Sequence, residues 1–211
     1  MSIASIRRDY QLQSLSEQDI LSDPIQQFTI WWQEALNAEI DEVNAMTLST
    51  AKADGRPAAR IVLLKGYDEN GFVFFTNYES HKGQELINKP FASLLFFWKE
   101  LERQVRIEGI CEKISPDESD AYFYSRPLGS RLGAWASPQS QVIPNRELLE
   151  KQAEELLIKY SEGVVPRPPH WGGFRVVPDS IELWQGRSNR LHDRILYTKE
   201  ASNWDVARLA P

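Results

Sequence analysis

The sequence predicts an α+β fold: an antiparallel, barrel-like β-sheet with inserted and flanking helices. Three observations carry this. About eight short runs of β-branched, aliphatic and aromatic residues are separated by turn chemistry. Helix-patterned stretches interrupt them without the regular strand–helix–strand alternation of a parallel sheet. Neither a GxGxxG fingerprint nor a P-loop is present, which removes the usual doubly wound nucleotide-binding readings.

With 211 residues, 42% hydrophobic and 26% charged, the chain suits one domain able to bury a core. Residues 1–22 are polar and lack sustained periodicity, so a mobile N-terminal arm is expected ahead of a single domain over 23–211. Asp23 then offers an N-cap with Pro24 at the first helical position, and Ile25, Phe28, Trp32, Ala35 and Leu36 recur at helical spacing. AMTLSTAKA, ARIVLLKG, GFVFFTN and ASLLFFW, between Ala45 and Trp98, read as four strands. Asp54-Gly55 and the run Asp68 to Gly71 supply turns, and the first three strands are expected to form a meander. Ser80 caps a short helix that must stop before Pro90. Arg103 to Ile114 alternates as a strand with Gly109 as a bulge. Ser115 to Glu118 is a capping box opening a helix to about Ser125. The stretch around Ser125, Arg126 and Ser130 reads as a loop after that helix, and Asn145 to Tyr160 as a further helix. Four more strands are expected near 174–177, 181–184, 195–197 and 204–209.

Charge and composition exclude several functions. A net charge of −6 argues against nucleic acid or an anionic membrane as the main partner. Cys111 is the only cysteine and reads as a buried small apolar residue; with three scattered histidines it makes a poor zinc set, so no metal is expected. No apolar leader and no run approaching about 20 apolar residues is seen, so the expectation is a cytoplasmic protein.

Four patches join basic groups to short polar donors: 60–65, 76–82, 125–140 and the run WQGRSNRLHDR at 184–194. Each suits an anion, and several together permit two anionic ligands. Each also has a plain reading: snorkelling strand ends for Arg60 and Lys65, turn residues for Gln139 and Ser140, and a solvated hairpin tip for 184–194. Trp171 and Trp184 suit either an aromatic ligand or the core. His192 and Asp193 are adjacent in an extended stretch and so face opposite ways, which makes Asp193 a poor partner for the imidazole.

Taken in order, RIVLLKG at 60–66, ERQVRIEG at 102–109, YFYSRP at 122–127, GAWASPQS at 133–140, WGGFRV at 171–176 and WQGRSNRLHDR at 184–194 resemble the pyridoxamine 5′-phosphate oxidase family. The resemblance runs from Arg7-Arg8-Asp9-Tyr10 to Arg208-Leu209-Ala210-Pro211, nearly the whole chain. It implies an FMN-binding split barrel and a homodimer with FMN in the interface. By matching position it implies that Arg60, Ile61, Val62, Leu63, Leu64, Lys65, Phe75, Thr76, His81, Lys82, Gln104, Gln139, Ser140, Trp184 and Arg194 bind FMN. Lys65, Tyr122, Arg126 and Ser130 would hold the substrate phosphate, and Arg190, Leu191 and His192 the pyridine ring, with Arg190 and His192 catalytic. Arg7, Arg8, Asp9 and Tyr10 match an arm that covers the substrate.

The implied reaction oxidises pyridoxamine 5′-phosphate or pyridoxine 5′-phosphate to pyridoxal 5′-phosphate. Hydride passes from C4′ to flavin N5, the imine from the amine is hydrolysed, and O2 reoxidises the flavin to give H2O2. Two positions depart from the family pattern: His81 stands where arginine is usual, and Phe75 where tyrosine is frequent. Another split-barrel flavin reductase would leave the set Arg126, Ser130, Arg190 and His192 without a phosphate-bearing substrate, and a non-catalytic flavin or pyridoxal-phosphate binder would show no oxygen-dependent turnover.

Overall fold

Nine strands pair into one antiparallel sheet in the computed structural model, which describes residues 2–6, 8–161 and 163–211. Arg7, expected to contact substrate, lies outside the described residues. The strands are β1 (Ala45–Ala51), β2 (Pro57–Leu63), β3 (Gly66–Asp68), β4 (Gly71–Asn77), β5 (Phe91–Trp98), β6 (Arg103–Lys113), β7 (Trp171–Gln185), β8 (Asp193–Glu200) and β9 (Asn203–Arg208). Around them lie α1 (Pro24–Asn37), α2 (His81–Asn88), α3 (Pro116–Ser125), α4 (Leu128–Ala136) and α5 (Glu147–Lys159). The sheet order is β2-β1-β5-β6-β7-β4-β3, with β8 joining β7 and β9 joining β8. This is the α+β split barrel that the sequence predicts.

The expected meander of the first three strands is not formed. β2 pairs with β1, whereas β4 pairs with β3 and β7. Alternation fixes which residues face the core but not which edge a strand joins. Here the chain turns a corner at Leu64-Lys65, whose N–H groups donate to Asn44 O and Val73 O.

The strands expected at 174–177 and 181–184 are one, β7, and the reason lies in its edges. Its first half pairs with β4 and its second with β8, while β6 follows it throughout. Pro178, which lacks an N–H, falls between the two halves and opposite Gly109, beside a bulge that lies in β7 and not at Gly109 as expected: Glu108 pairs with Ser180 and Gly109 with Pro178, which leaves Asp179 without a partner on β6. A proline therefore sits mid-strand where the ladder is already interrupted.

Two caps form as their sequences dictate. Asp23 accepts from the Ile25 and Gln26 amides at the start of α1, and Ser115 and Glu118 close a reciprocal capping box on α3. Each such cap stabilises its helix by about 1 kcal/mol. Helix α1 buries Phe28 and Trp31 in the barrel, where Phe28 meets Tyr67 and Phe72 edge-on at 4.9 and 5.0 Å. Cys111 is buried in the same core.

Residues 128–136 are helical as α4, where a loop is expected from the sequence. Glycines at 129 and 133 hide the helical pattern. Burial of Leu132 and Ala136, with Leu132 packed in a second cluster with Phe123, Val165 and Trp171, outweighs that local preference. Ahead of α1, Leu15 is buried in the barrel core and Leu21 O accepts from the Tyr197 hydroxyl at 2.7 Å, so the N-terminal segment lies on the barrel. No helix among the described residues is long and apolar enough to cross a membrane.

Candidate active site

The residues singled out from the sequence fall into two groups. The first lines a cleft of about 310 Å³ between the end of β2, β4, α2 and α3, with Ile61, Val62, Leu63, Lys65, Phe75, Thr76, Lys82, Tyr122, Arg126 and Gln139 on its walls. It continues into a space of about 280 Å³ bounded by Ser130 and the rest of α4; Asn77, Arg126, Gln139 and Trp171 border both parts.

One wall is aromatic. Phe75 stacks on Tyr122 with centroids 3.9 Å apart and on Trp171 at 5.4 Å, and the Arg126 guanidinium lies 4.5 Å from the Trp171 ring centre. Burial lowers the pKa of Arg126, and its Nη1 is buried with no hydrogen-bond partner among the described residues. A buried, unsatisfied guanidinium nitrogen is costly, and an anion in the cleft would satisfy it.

The other wall is cationic. Lys82 sits in the first turn of α2, whose N-cap Ser80 accepts from Gly83 N. Its ammonium donates to Thr76 Oγ1 at 3.1 Å and, at 3.4 Å, to Ser80 Oγ and Gln139 Oε1. Burial, and then the nearby Arg60, lower the pKa of Lys82 against the opposing pull of Glu85. An anion beside it would oppose that lowering, and the helix N-terminus adds favourable field.

Some expected residues stand apart from this cleft. Arg60 donates to Thr50 Oγ1 and pairs with Glu85 at 3.2 Å, so it acts behind the wall. The Leu64 side chain is in the core, and His81 is exposed at the first residue of α2. Ser140 adopts a left-handed conformation, φ 73°, just after Gln139.

The second group gathers at the other end of β7. Gln104, Trp184 and Arg194 are cross-strand neighbours on β6, β7 and β8 and form one row across the sheet. The buried Glu182 carboxylate holds Arg194 with a forked pair at 2.7 and 3.2 Å and also takes Arg106.

Beyond Trp184, the loop to Asp193 and the N-terminal segment enclose a cleft of about 500 Å³, lined by Ile6, Arg8, Asp9, Tyr10, Arg187, Asn189, Arg190 and His192. Asn189 and Arg190 are both left-handed, with φ 56° and 63°, a strain of about 1–3 kcal/mol each that such loops tolerate at functional positions. The adjoining Leu191 side chain is exposed. His192 packs 4.5 Å from Trp184, and its Nδ1 accepts from Arg187 N at 3.1 Å. That bond fixes the neutral ring as the Nε2–H tautomer. Burial and then Arg190 lower the His192 pKa, against Asp193. Asp193 itself turns to Leu15 N, Arg187 and Arg208, so it is not the imidazole's partner.

The two clefts share no lining residue. From Gly173, which faces Phe75, to Trp184 the strand contour is on the order of 35 Å at about 3.3 Å per residue. A single chain thus separates what the sequence reading joins. Asn77 and Arg187, which lie within the patches at 76–82 and 184–194 without being singled out there, also line the clefts, and Asn77 Oδ1 accepts from Glu79 N in a local turn.

The split-barrel architecture defines a class that solved structures share. A pyridoxamine 5′-phosphate oxidase-related, FMN-binding protein from Nostoc punctiforme superposes with a TM-score of 0.71 at 19% identity, over 94% of this chain and all of that one. PhzG from Burkholderia lata 383, solved in complex with tetrahydrophenazine-1-carboxylic acid, superposes with a TM-score of 0.89 at 33% identity, over 95% of this chain and 99% of that one.

The family models for pyridoxamine 5′-phosphate oxidase and for the pyridoxine 5′-phosphate oxidase C-terminal dimerisation region match residues 32–160 and 171–211. Pyridoxine/pyridoxamine 5′-phosphate oxidases of Paraburkholderia phytofirmans and Burkholderia pseudomallei are 58% and 59% identical over all of this chain and 99% of theirs. The chain belongs to the pyridoxamine 5′-phosphate oxidase family.

Proposed function

We propose that this chain is an FMN-dependent oxidase that converts pyridoxine 5′-phosphate and pyridoxamine 5′-phosphate to pyridoxal 5′-phosphate, acting as a homodimer whose sites are each shared between protomers. The observation that carries this reading is the separation of the two clefts: an aromatic, cationic cleft with an unsatisfied arginine, and an arginine–histidine loop too far along β7 to meet it within one chain. The matched C-terminal dimerisation region and the identity to named oxidases support it.

The cleft suits FMN, because Lys82, Thr76 and the start of α2 offer donors and charge for a phosphate and Phe75 offers apolar surface. In this reading Ile61, Val62, Leu63, Lys65, His81, Gln139 and Ser140 complete one side of the flavin site, with Arg60 and Leu64 supporting it from behind, and the partner's Gln104, Trp184 and Arg194 the other. When bound, FMN would supply the two-electron redox chemistry for oxidation at C4′, with O2 as the final electron acceptor.

The protein supplies position and charge. Lys65, Tyr122, Arg126 and Ser130 hold the substrate phosphate, which meets the vacant donor of Arg126. Arg190 and Leu191 bound the pyridine ring. Neutral His192 donates from Nε2 to a polar substituent of the substrate, since its Nδ1 is taken by Arg187 N. The site is cytoplasmic in this reading, where its phosphorylated substrates are retained.

A second reading comes from the likeness to PhzG, solved with a tricyclic carboxylic acid. It leaves the phosphate-suited set around Arg126 without a purpose, and the identity to that protein is lower. Co-expressing Arg126→Ala and Arg190→Ala subunits tests the shared site. Each variant alone should be nearly inactive towards pyridoxine 5′-phosphate, while the mixture should regain about a quarter of wild-type activity, because half of the dimers carry one intact site. No recovery would contradict sharing.

A further inference from the structure

Glu102 is 2% exposed and adopts a left-handed conformation, φ 54°, in the turn before β6. Among the described residues, its carboxylate forms no ion pair with a cation of the barrel. Oε2 instead accepts from two successive amides of the N-terminal segment, Gln11 N at 2.8 Å and Leu12 N at 3.1 Å, and Oε1 lies 3.5 Å from the Arg8 guanidinium. All its side-chain partners among the described residues come from that segment. Its backbone carbonyl meanwhile accepts from Gly186 N at 2.7 Å and Gln185 Nε2 at 3.3 Å, at the root of the His192 loop. One residue therefore grips the arm with its side chain and the catalytic loop with its backbone.

What this grip positions is visible next to it. Tyr10 lies edge-on to Trp184 at 5.8 Å and 6.0 Å from His192, and its carbonyl accepts from Ser188 Oγ. Asn189 N donates to Asp9 Oδ1 at 3.3 Å. A Cβ on Gly186 would stand 2.7 Å from the Tyr10 ring, so only glycine allows the arm this close. Adjacent Arg103, buried over Trp31, takes Gln13 as well as Glu34 and Gln185. A buried carboxylate needs donors, and here the arm supplies them. Docking of the arm and satisfaction of Glu102 are thus the same event.

We propose that Glu102 is a positioning residue: its carboxylate latches residues 8–12 so that Tyr10 and Arg8 wall the His192 cleft and raise its affinity for substrate. This rests on the assignment of Arg190 and His192 to the substrate site.

Hydrogen exchange of peptides within residues 8–15, measured on the full-length, FMN-reconstituted protein and on Glu102→Gln, tests it. The variant should exchange this segment about tenfold faster or more, with the barrel strands unchanged. KM for pyridoxine 5′-phosphate should rise roughly three- to tenfold with kcat within about twofold and FMN content unaltered. Combined with Tyr10→Ala, the substitution should add nothing further, because both act through the same wall.

Unchanged exchange, additive effects in the double variant, or loss of FMN would overturn the proposal. If Glu102→Gln fails to fold, Glu102→Asp, which keeps the charge but withdraws it by one methylene, is read in the same way. Exchange needs no substrate, so a protein inactive on both phosphorylated substrates would count against the proposed function while exchange still decides the latch.

Discussion

Arg126 and Arg60 carry the same charge and are used in opposite ways. Arg60 is neutralised by Glu85 and tied to Thr50, so it stiffens the wall behind the cleft. Arg126 is stacked on Trp171 with one nitrogen unsatisfied, so its charge is available to a ligand. Arg190 is different again, exposed and held in a left-handed conformation that aims it into the loop cleft. Arg190→Ala should therefore lower kcat/KM by about 100-fold or more while leaving flavin content within about twofold; normal turnover would remove it from the mechanism. His81 opens α2 one residue before Lys82. His81→Arg should therefore tighten FMN binding, measured by flavin fluorescence, because a guanidinium adds forked, permanently charged donors at the start of the helix; unchanged affinity would exclude a phosphate contact at this position.

At the scale of elements, the long strand β7 organises the site, and Gly109 of β6 lies opposite its register shift, next to the unpaired Asp179. A Cβ on Gly109 would stand 2.0 Å from Val177 O and 2.9 Å from Pro178 Cα, both backbone, so neither can give way cheaply. Gly109→Ala should cost about 2–4 kcal/mol, read as a fall of roughly 5–15 °C in Tm; an unchanged Tm would show that the strands shift freely. The sequence marks this glycine because it interrupts an otherwise strict alternation, but the extra residue of the bulge lies across the ladder, at Asp179 of β7. The caps at Asp23 and Ser115 were readable in the sequence, where the chemistry is local. Helix α4 was not, because Gly129 and Gly133 disguise a helix held by distant Trp171 and Val165. The pairing of β4 with β7 rather than β2 was equally hidden, since period two carries no information about partners. Residue types in the two clefts were legible one by one, yet their separation was not, because it depends on the length of a strand that reads as two.

For the whole molecule, the proposed function makes the dimer part of the chemistry. One protomer offers an anion cleft and an arginine–histidine loop at opposite ends of β7, and N-terminal residues 8–15 bind back onto the loop through Glu102 and Asp193. Oxidation of a phosphorylated pyridine by this arrangement makes a simple optical demand. The FMN-reconstituted protein, mixed anaerobically with pyridoxine 5′-phosphate and then with pyridoxamine 5′-phosphate, should bleach at the flavin absorbance band with each and recover its colour when air is admitted. A flavin that binds but stays oxidised with both substrates would contradict the oxidase, and a protein that retains no FMN would contradict the flavin site itself.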